Sequence, residues 1–207
     1  MKGSIVEEKL FSKEFPYWQA LDQGNPYALR LLIGCGDTFD EIERNEREGA
    51  TEIYHALFPN GADAFFFDYY VYDICEDGEA MGKDHSDGME AFVEEQIQER
   101  LESDRFLIDC MCRYRHKVVR DMPAQNPSFY GRGLLRRNRV ICYRDASGID
   151  FNRLMDRVTE RYTNMGFVSF DNECIFFLRG DCEGCVVCMT QEKSDEYSER
   201  LKPYLYP

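Results

Sequence analysis

Nine cysteines, three histidines and a group of arginines are the residues of this 207-residue chain best suited to chemistry. The tightest spacing is Cys182-Glu183-Gly184-Cys185-Val186-Val187-Cys188, with Cys174 eight residues upstream. Four thiolates at zinc-knuckle spacing could complete a tetrahedral metal site. Structural zinc, however, draws on two separated pairs, and the second pair is missing. Cys188 also stands in an apolar run, where a free cysteine behaves as a small hydrophobe. A redox Cys-x-x-Cys wants a helix N-terminus, whose dipole lowers a thiol pKa. Here Gly180-Asp181 precede and Val186-Val187 follow, the pattern of a turn entering a strand. The expectation is that Cys174, Cys182, Cys185 and Cys188 are reduced, buried and metal-free.

The second constellation is basic. Arg132, Arg136, Arg137, Arg139 and Arg144, with Arg113, Arg115 and Lys117, form an island in an acidic chain, with Tyr130 and Tyr143 interleaved. Such a group can hold a phosphate. Asp145 and Asp150 flank a turn into a helix whose N-terminus favours an anion. Arg136, Arg137, Arg139, Arg144, Asp145 and Asp150 are therefore the candidate ligand-binding residues. The opposing reading pairs these arginines with the chain's own surplus of carboxylates, and the overall charge favours it. A third group, Lys83-Asp84-His85-Ser86-Asp87, sets two acids beside a histidine, as a proton-transfer or metal site needs. No second histidine falls at ligand spacing, since His55 and His116 lie far off, and an Asp-rich loop before a helix ordinarily caps it. Phosphate loops, nucleophile elbows, His-Glu-x-x-His helices and dinucleotide fingerprints are all missing from the sequence. No catalytic residue, cofactor or metal is expected.

Bulk composition narrows the partners. Thirty-nine acidic residues against 25 basic ones give a formal charge of −14. That field repels nucleic-acid backbones and anionic membranes, and suits a basic protein. The segment Met1 to Lys9 has no apolar stretch of the kind a signal peptide carries. No run reaches the roughly 18 apolar residues of a membrane span. An odd number of cysteines without a secretory signal points to free thiols in the cytoplasm.

The elements that must position these residues read as one α+β domain over 1–207, a mixed, mainly antiparallel sheet packed with helices. An aromatic segment around Pro16 (Phe11, Phe15, Tyr17, Trp18) should hold a short helix and then a loop. Tyr27 to Ile33 should be a buried strand stopped by Gly34-Cys35-Gly36. Asp37 to Phe58 carries apolar residues at steps of three and four and should be a helix, with Gly49 a possible break. Asp63 to Ile74 should be a strand, followed by an acidic loop to Asp87. A helix capped at Ser86 or Asp87 should present Met89, Phe92, Val93, Ile97 and Leu101. From Phe106 to Val118 the alternation of apolar and polar residues predicts a half-exposed strand with a basic end. Pro123 to Gly133 should be a loop. Leu134-Leu135 and Val140 to Tyr143 should be two strands joined through Arg136 to Arg139. Asp150 should cap a helix with the stripe Phe151, Leu154, Met155, Val158 and Tyr162. Phe167 to Phe170, Cys174 to Leu178 and Cys185 to Met189 are further strands, and a last helix should run from Ser194 to Lys202.

Several landmarks occur together in an order that resembles the bacterial domain of unknown function 3885 family. They are Phe15-Pro16 and Pro26, the strand Leu29-Arg30-Leu31-Leu32-Ile33-Gly34, and the helix with Ala50, Ile53, Tyr54, Leu57 and Phe58. The turn Tyr143-Arg144-Asp145 with Gly148 and Asp150, the helix to Tyr162 and the stretch Phe167 to Asp171 complete the resemblance. Arg144 stands where that family has its first turn aspartate. The resemblance implies an α+β fold and carries no activity with it. The functional expectation is therefore an acidic protein-binding module of immunity or inhibitor type, acting on a basic partner. The alternative is an enzyme or nucleotide-binding domain built on the arginine island and the Asp145–Asp150 turn.

Overall fold

The computed structural model describes residues 25–74, 102–103, 105–112, 117–122, 134–157, 163–178 and 183–207. Among them seven strands form one sheet: β1 (Ala28–Leu32), β2 (Ala64–Ile74), β3 (Lys117–Met122), β4 (Leu134–Tyr143), β5 (Thr163–Ser169), β6 (Cys174–Leu178) and β7 (Glu183–Cys188). Their order across the sheet is β1-β7-β6-β5-β2-β4-β3, and every neighbouring pair is antiparallel. Helices α1 (Phe39–Leu57), α2 (105–111), α3 (Phe151–Arg157) and α4 (Gln191–Arg200) accompany it. The architecture is α+β, as composition and periodicity suggested.

The sheet buries residues on both faces, which is why its strands read as nearly continuous apolar runs. All five residues of β6, Cys-Ile-Phe-Phe-Leu, are buried. Alternation sends Phe65, Phe67, Ile141, Tyr143, Phe167, Phe176, Val186 and Cys188 into one cluster with α1, α3 and α4. Phe66, Val140, Cys142, Val168, Phe177, Cys185 and Val187 form a second cluster on the other face. The first is built around Phe167, whose ring lies 5.0–5.2 Å from those of Phe65, Tyr54 and Phe151. Tyr54 of α1 stacks on Phe151 of α3 at 4.2 Å. In the second, Phe66 faces Gly166 across the β2–β5 ladder. Its ring lies so close over that backbone that a Cβ on Gly166 would meet it at 1.9 Å.

Helix α1 starts at Thr38, whose hydroxyl accepts from Glu41 N at 3.3 Å, with Asp40 and Glu41 in the turn where the dipole favours acids. It runs unbroken through Gly49. That glycine is a packing residue: a Cβ there would meet Ile33 Cγ2 at 2.9 Å and Tyr204 at 3.1 Å. After α4 and a short 3-10 turn (Lys202–Tyr204), the chain bridges Leu205 to Leu31 and donates Tyr206 N to Arg30 O at 3.0 Å. The outer edge of β1 is thereby covered at that point.

Two expectations need correction. Residues 105–111 are helical, with Cys112 N donating to Ile108 O at 2.9 Å, and strand structure begins only at Lys117. The run Phe106-Leu-Ile-Asp-Cys-Met-Cys is apolar at nearly every step, so both periods fit it. Burial of Ile108, Met111 and Cys112 follows the helical spacing, and Phe106 and Cys110 face out. Second, Leu134 to Tyr143 is a single ten-residue strand, not two joined through the arginines. The segment Arg136-Arg137-Asn138-Arg139 contains no glycine or proline to turn the chain, and both edges of β4 find partners, β2 and β3. Expectations for the amino-terminal aromatic segment, the helix from Ser86 to Leu101 and the loop from Pro123 to Gly133 lie outside the described residues.

Candidate functional site

Strand β4 carries the arginines into the interior of the sheet's ladder. Arg136, Arg137 and Arg139 stand in register with Tyr72, Val71 and Tyr69 of β2, and Arg139 also with Asp121 of β3. Arg144 follows the strand and is exposed. The next six residues form the compact turn that holds both candidate carboxylates. Asp145 Oδ1 accepts from Ser147 N at 3.0 Å and from Ser147 Oγ at 2.6 Å. Ile149 N closes on Ala146 O at 3.0 Å, and Ala146 N reaches Asp63 O at 3.3 Å at the start of β2. Asp150 Oδ1 accepts from Arg153 N at 3.1 Å and so caps α3. A carboxylate therefore occupies the end of α3 where an anion would approach. Arg144, Asp145 and Asp150 are brought together in one turn, and the two acids serve its backbone.

Beneath this turn lies a feature that sequence reasoning missed. Tyr143 Oη donates to Asp109 Oδ1 at 2.7 Å, with the tyrosine fully buried and the aspartate 5 % exposed. Gly148 sits against the end of α2, where a Cβ would fall 2.3 Å from Met111 O. The Cys112 thiol in the same place is pushed up to about 12, first by burial and then by the negative charges of Asp109 and Asp145. Asp109 stands only two positions from Met111 in a run that reads equally well as a strand, so nothing local marked it as a buried acceptor.

The cysteine cluster resolves by strand geometry. Side chains alternate along β7, so Cys185 and Cys188, three apart, face opposite sides of the sheet and belong to different clusters. A Cys-x-x-Cys laid out this way cannot chelate one ion with both thiols. Cys174 stands directly across from Cys188 in the β6–β7 ladder. Tyr197 of α4 covers the two, its hydroxyl hydrogen-bonded with the Cys174 thiol. Burial raises Cys174 to about 11 and Cys188 to about 12, so both stay protonated at neutral pH. Cys182, His85 and His116 lie outside the described residues. His55 is exposed on α1, with its ring edge-on to Tyr54 at 5.5 Å.

The outer surface of the helices is the remaining candidate. Asp40, Glu43, Glu48 and Glu52 on α1, with Glu192, Asp195, Glu196 and Glu199 on α4, are exposed. The exposed arginines of the same helices are Arg44, Arg47 and Arg200. The two helices are tied together, because Arg200 Nη1 donates to Ala56 O at 2.9 Å and the Tyr204 hydroxyl bonds Glu52. Between α1 and α3 runs an open groove of about 440 Å³ lined by Arg47, Glu48, Thr51, Glu52, Asn152 and Asp156. The Arg47–Asp156 pair spans it at 2.9 Å, both side chains half exposed. Acids at steps of three to five along Asp40 to Glu52 were a readable signal for this surface.

No family model, curated protein or solved structure matches the chain. No described helix is long and apolar enough to cross a membrane.

Proposed function

We propose that the chain is a cytoplasmic protein-binding module of immunity or inhibitor type, whose α1–α4 surface takes a basic protein partner. The observation that carries this reading is the charge of that surface: eight exposed acids against three exposed arginines and the part-buried Lys193 on two neighbouring helices, with Glu196 paired to Lys193 and Arg200. A patch of one sign steers an opposite partner and speeds its encounter. The formal charge of −14 reinforces the same field at longer range. By contrast, the acids of the 144–150 turn are engaged by its own backbone, which weighs against the alternative of a phosphate site there.

The test is capture from the host lysate, with the native chain beside a variant carrying Asp40→Lys, Glu43→Lys, Glu192→Lys and Asp195→Lys. The expected result is a basic protein held by the native chain and lost both from the variant and at high salt. Exposed charge pairs weaken steeply as the screening length falls from about 10 Å at 0.1 M to about 3 Å at 1 M salt. Capture of the same proteins by both chains would overturn the assignment of the surface. The phosphate-site alternative is checked by thermal shift with nucleotides, since a ligand at about 100 times its Kd should stabilise by about 2.7 kcal/mol.

A further inference from the structure

Cys174 and Cys188 are paired in a way that the spacing of the cysteine motif does not suggest. In an antiparallel ladder the N–H and C=O of one residue point to the same neighbouring strand. Cys188 N donates to Tyr27 O at 3.3 Å, and Cys188 O accepts from Asn25 Nδ2 at 3.3 Å. Both backbone groups of Cys188 therefore point toward the β1 side, away from β6. Its pairing with Cys174 is thus of the non-hydrogen-bonded kind, where opposed Cα atoms approach to about 4.5 Å and side chains lie closest. That separation falls within the roughly 4.4–6.8 Å a disulfide spans. Both side chains enter the same buried cluster and both cysteines are free thiols.

What seals them is slight. Helix α4 is Gln-Glu-Lys-Ser-Asp-Glu-Tyr-Ser-Glu-Arg, a sequence with one large apolar anchor, Tyr197, and Leu201 as its C-cap. Its other tethers are the Arg200–Ala56 bond and, through the turn that follows it, Tyr204 on Glu52, the Leu205–Leu31 bridge and Tyr206 N on Arg30 O. A helix held by so little core surface belongs to the part of a structure that opens first.

We infer that Cys174 and Cys188 form a cross-strand dithiol that closes to a disulfide under hydroperoxide, with α4 as the gate. When α4 lifts, the thiols meet solvent and ionise in the ordinary thiol range. One thiolate attacks the peroxide, breaking the O–O bond, releasing alcohol or water, and becoming a sulfenic acid. The second thiol displaces water from that sulfur. Two thiols have then lost two protons and two electrons, one S–S bond has formed, and the peroxide has been reduced. The Tyr197 hydroxyl loses its sulfur partner as it stood, so the oxidised chain should hold α4 less firmly than the reduced one.

The experiment treats the full chain with hydrogen peroxide, blocks remaining thiols under denaturing conditions, and maps peptides without reduction. The expected product is a peptide joining Cys174 to Cys188, two hydrogen atoms lighter than the reduced pair. Cys185→Ser should leave it intact, because that side chain faces the other side of the sheet. Leu201→Ala should speed its formation at least about tenfold, the effect of weakening the gate by about 1.4 kcal/mol. Recovery of both thiols fully blocked, or pairing of either with another cysteine, would overturn the inference. A rate unchanged by Leu201→Ala in a chain that still forms the link would remove α4 as the gate.

Discussion

Tyr143 and Tyr197 are both buried to within 1 % of full coverage, yet they hold the molecule differently. Tyr143 donates a hydrogen bond from its hydroxyl to the Asp109 carboxylate, and that contact pins α2 to β4. Tyr197 shares a hydrogen bond with the Cys174 thiol, and that contact pins α4 to β6. A hydrogen bond to a charged oxygen is about twice as strong as a neutral one, and a thiol sulfur is a weak acceptor. Identical residues at identical depth therefore make a firm anchor at one place and a light one at the other. The lesson is that burial ranks neither; the acceptor does.

Alkali should expose the difference most strongly. Cys112 beside Tyr143, and Cys174 and Cys188 beside Tyr197, hold their protons to about 11–12 in the native chain against an ordinary thiol value of 9.0. Unfolded thiols lose theirs first, so the unfolded chain binds fewer protons above that value and stability falls as pH rises. Each thiol should cost about 1 kcal/mol between about pH 9 and pH 10. Replacing Cys174 and Cys188 together by alanine should flatten urea-derived stability against pH about twice as much as Cys112→Ala.

Removing the hydroxyls comes next. Tyr143→Phe strips a donor from a buried carboxylate and should cost about 2 kcal/mol, the range for hydrogen bonds to charged groups. Tyr197→Phe removes a neutral contact to sulfur and should cost about 0.5–1 kcal/mol. Equal losses in urea denaturation would break the comparison. Smallest of all, Glu43→Lys and Asp195→Lys should each change stability by no more than about 0.5 kcal/mol on solvated surface, whereas Asp40→Lys and Glu192→Lys, in the first turns of their helices, should each cost up to about 1 kcal/mol. Thermal melts at moderate salt check this, and also license their use as binding probes.

How far the sequence disclosed all this depended on how unambiguous each local signal was. Helix α1 was legible because Ile53, Tyr54 and Leu57 recur at helical steps between Thr38 and Pro59. Strand β6 was legible because Cys174 to Leu178 is a short apolar run between turns. Helix α2 was not, since a run apolar on all sides has no period to read. The arginines of β4 misled for another reason: a polar run inside a strand looks like a connection until both neighbouring strands are known. Asp145 and Asp150 were found as a turn, and their backbone bonds are the roles that such acids fill in turns and caps. The Cys174–Cys188 pair could not be found, because register between strands is set by tertiary pairing and not by spacing within one of them.

The acidic α1–α4 surface is the proposed contact with a basic partner. Hydrogen exchange on the complex with the captured basic protein locates the contact without any substitution. Protection concentrated in Phe39–Leu57 and Gln191–Arg200 is the predicted result. Protection confined to Leu134–Tyr143 and the turn through Asp150, with α1 and α4 exchanging as in the free chain, would contradict it.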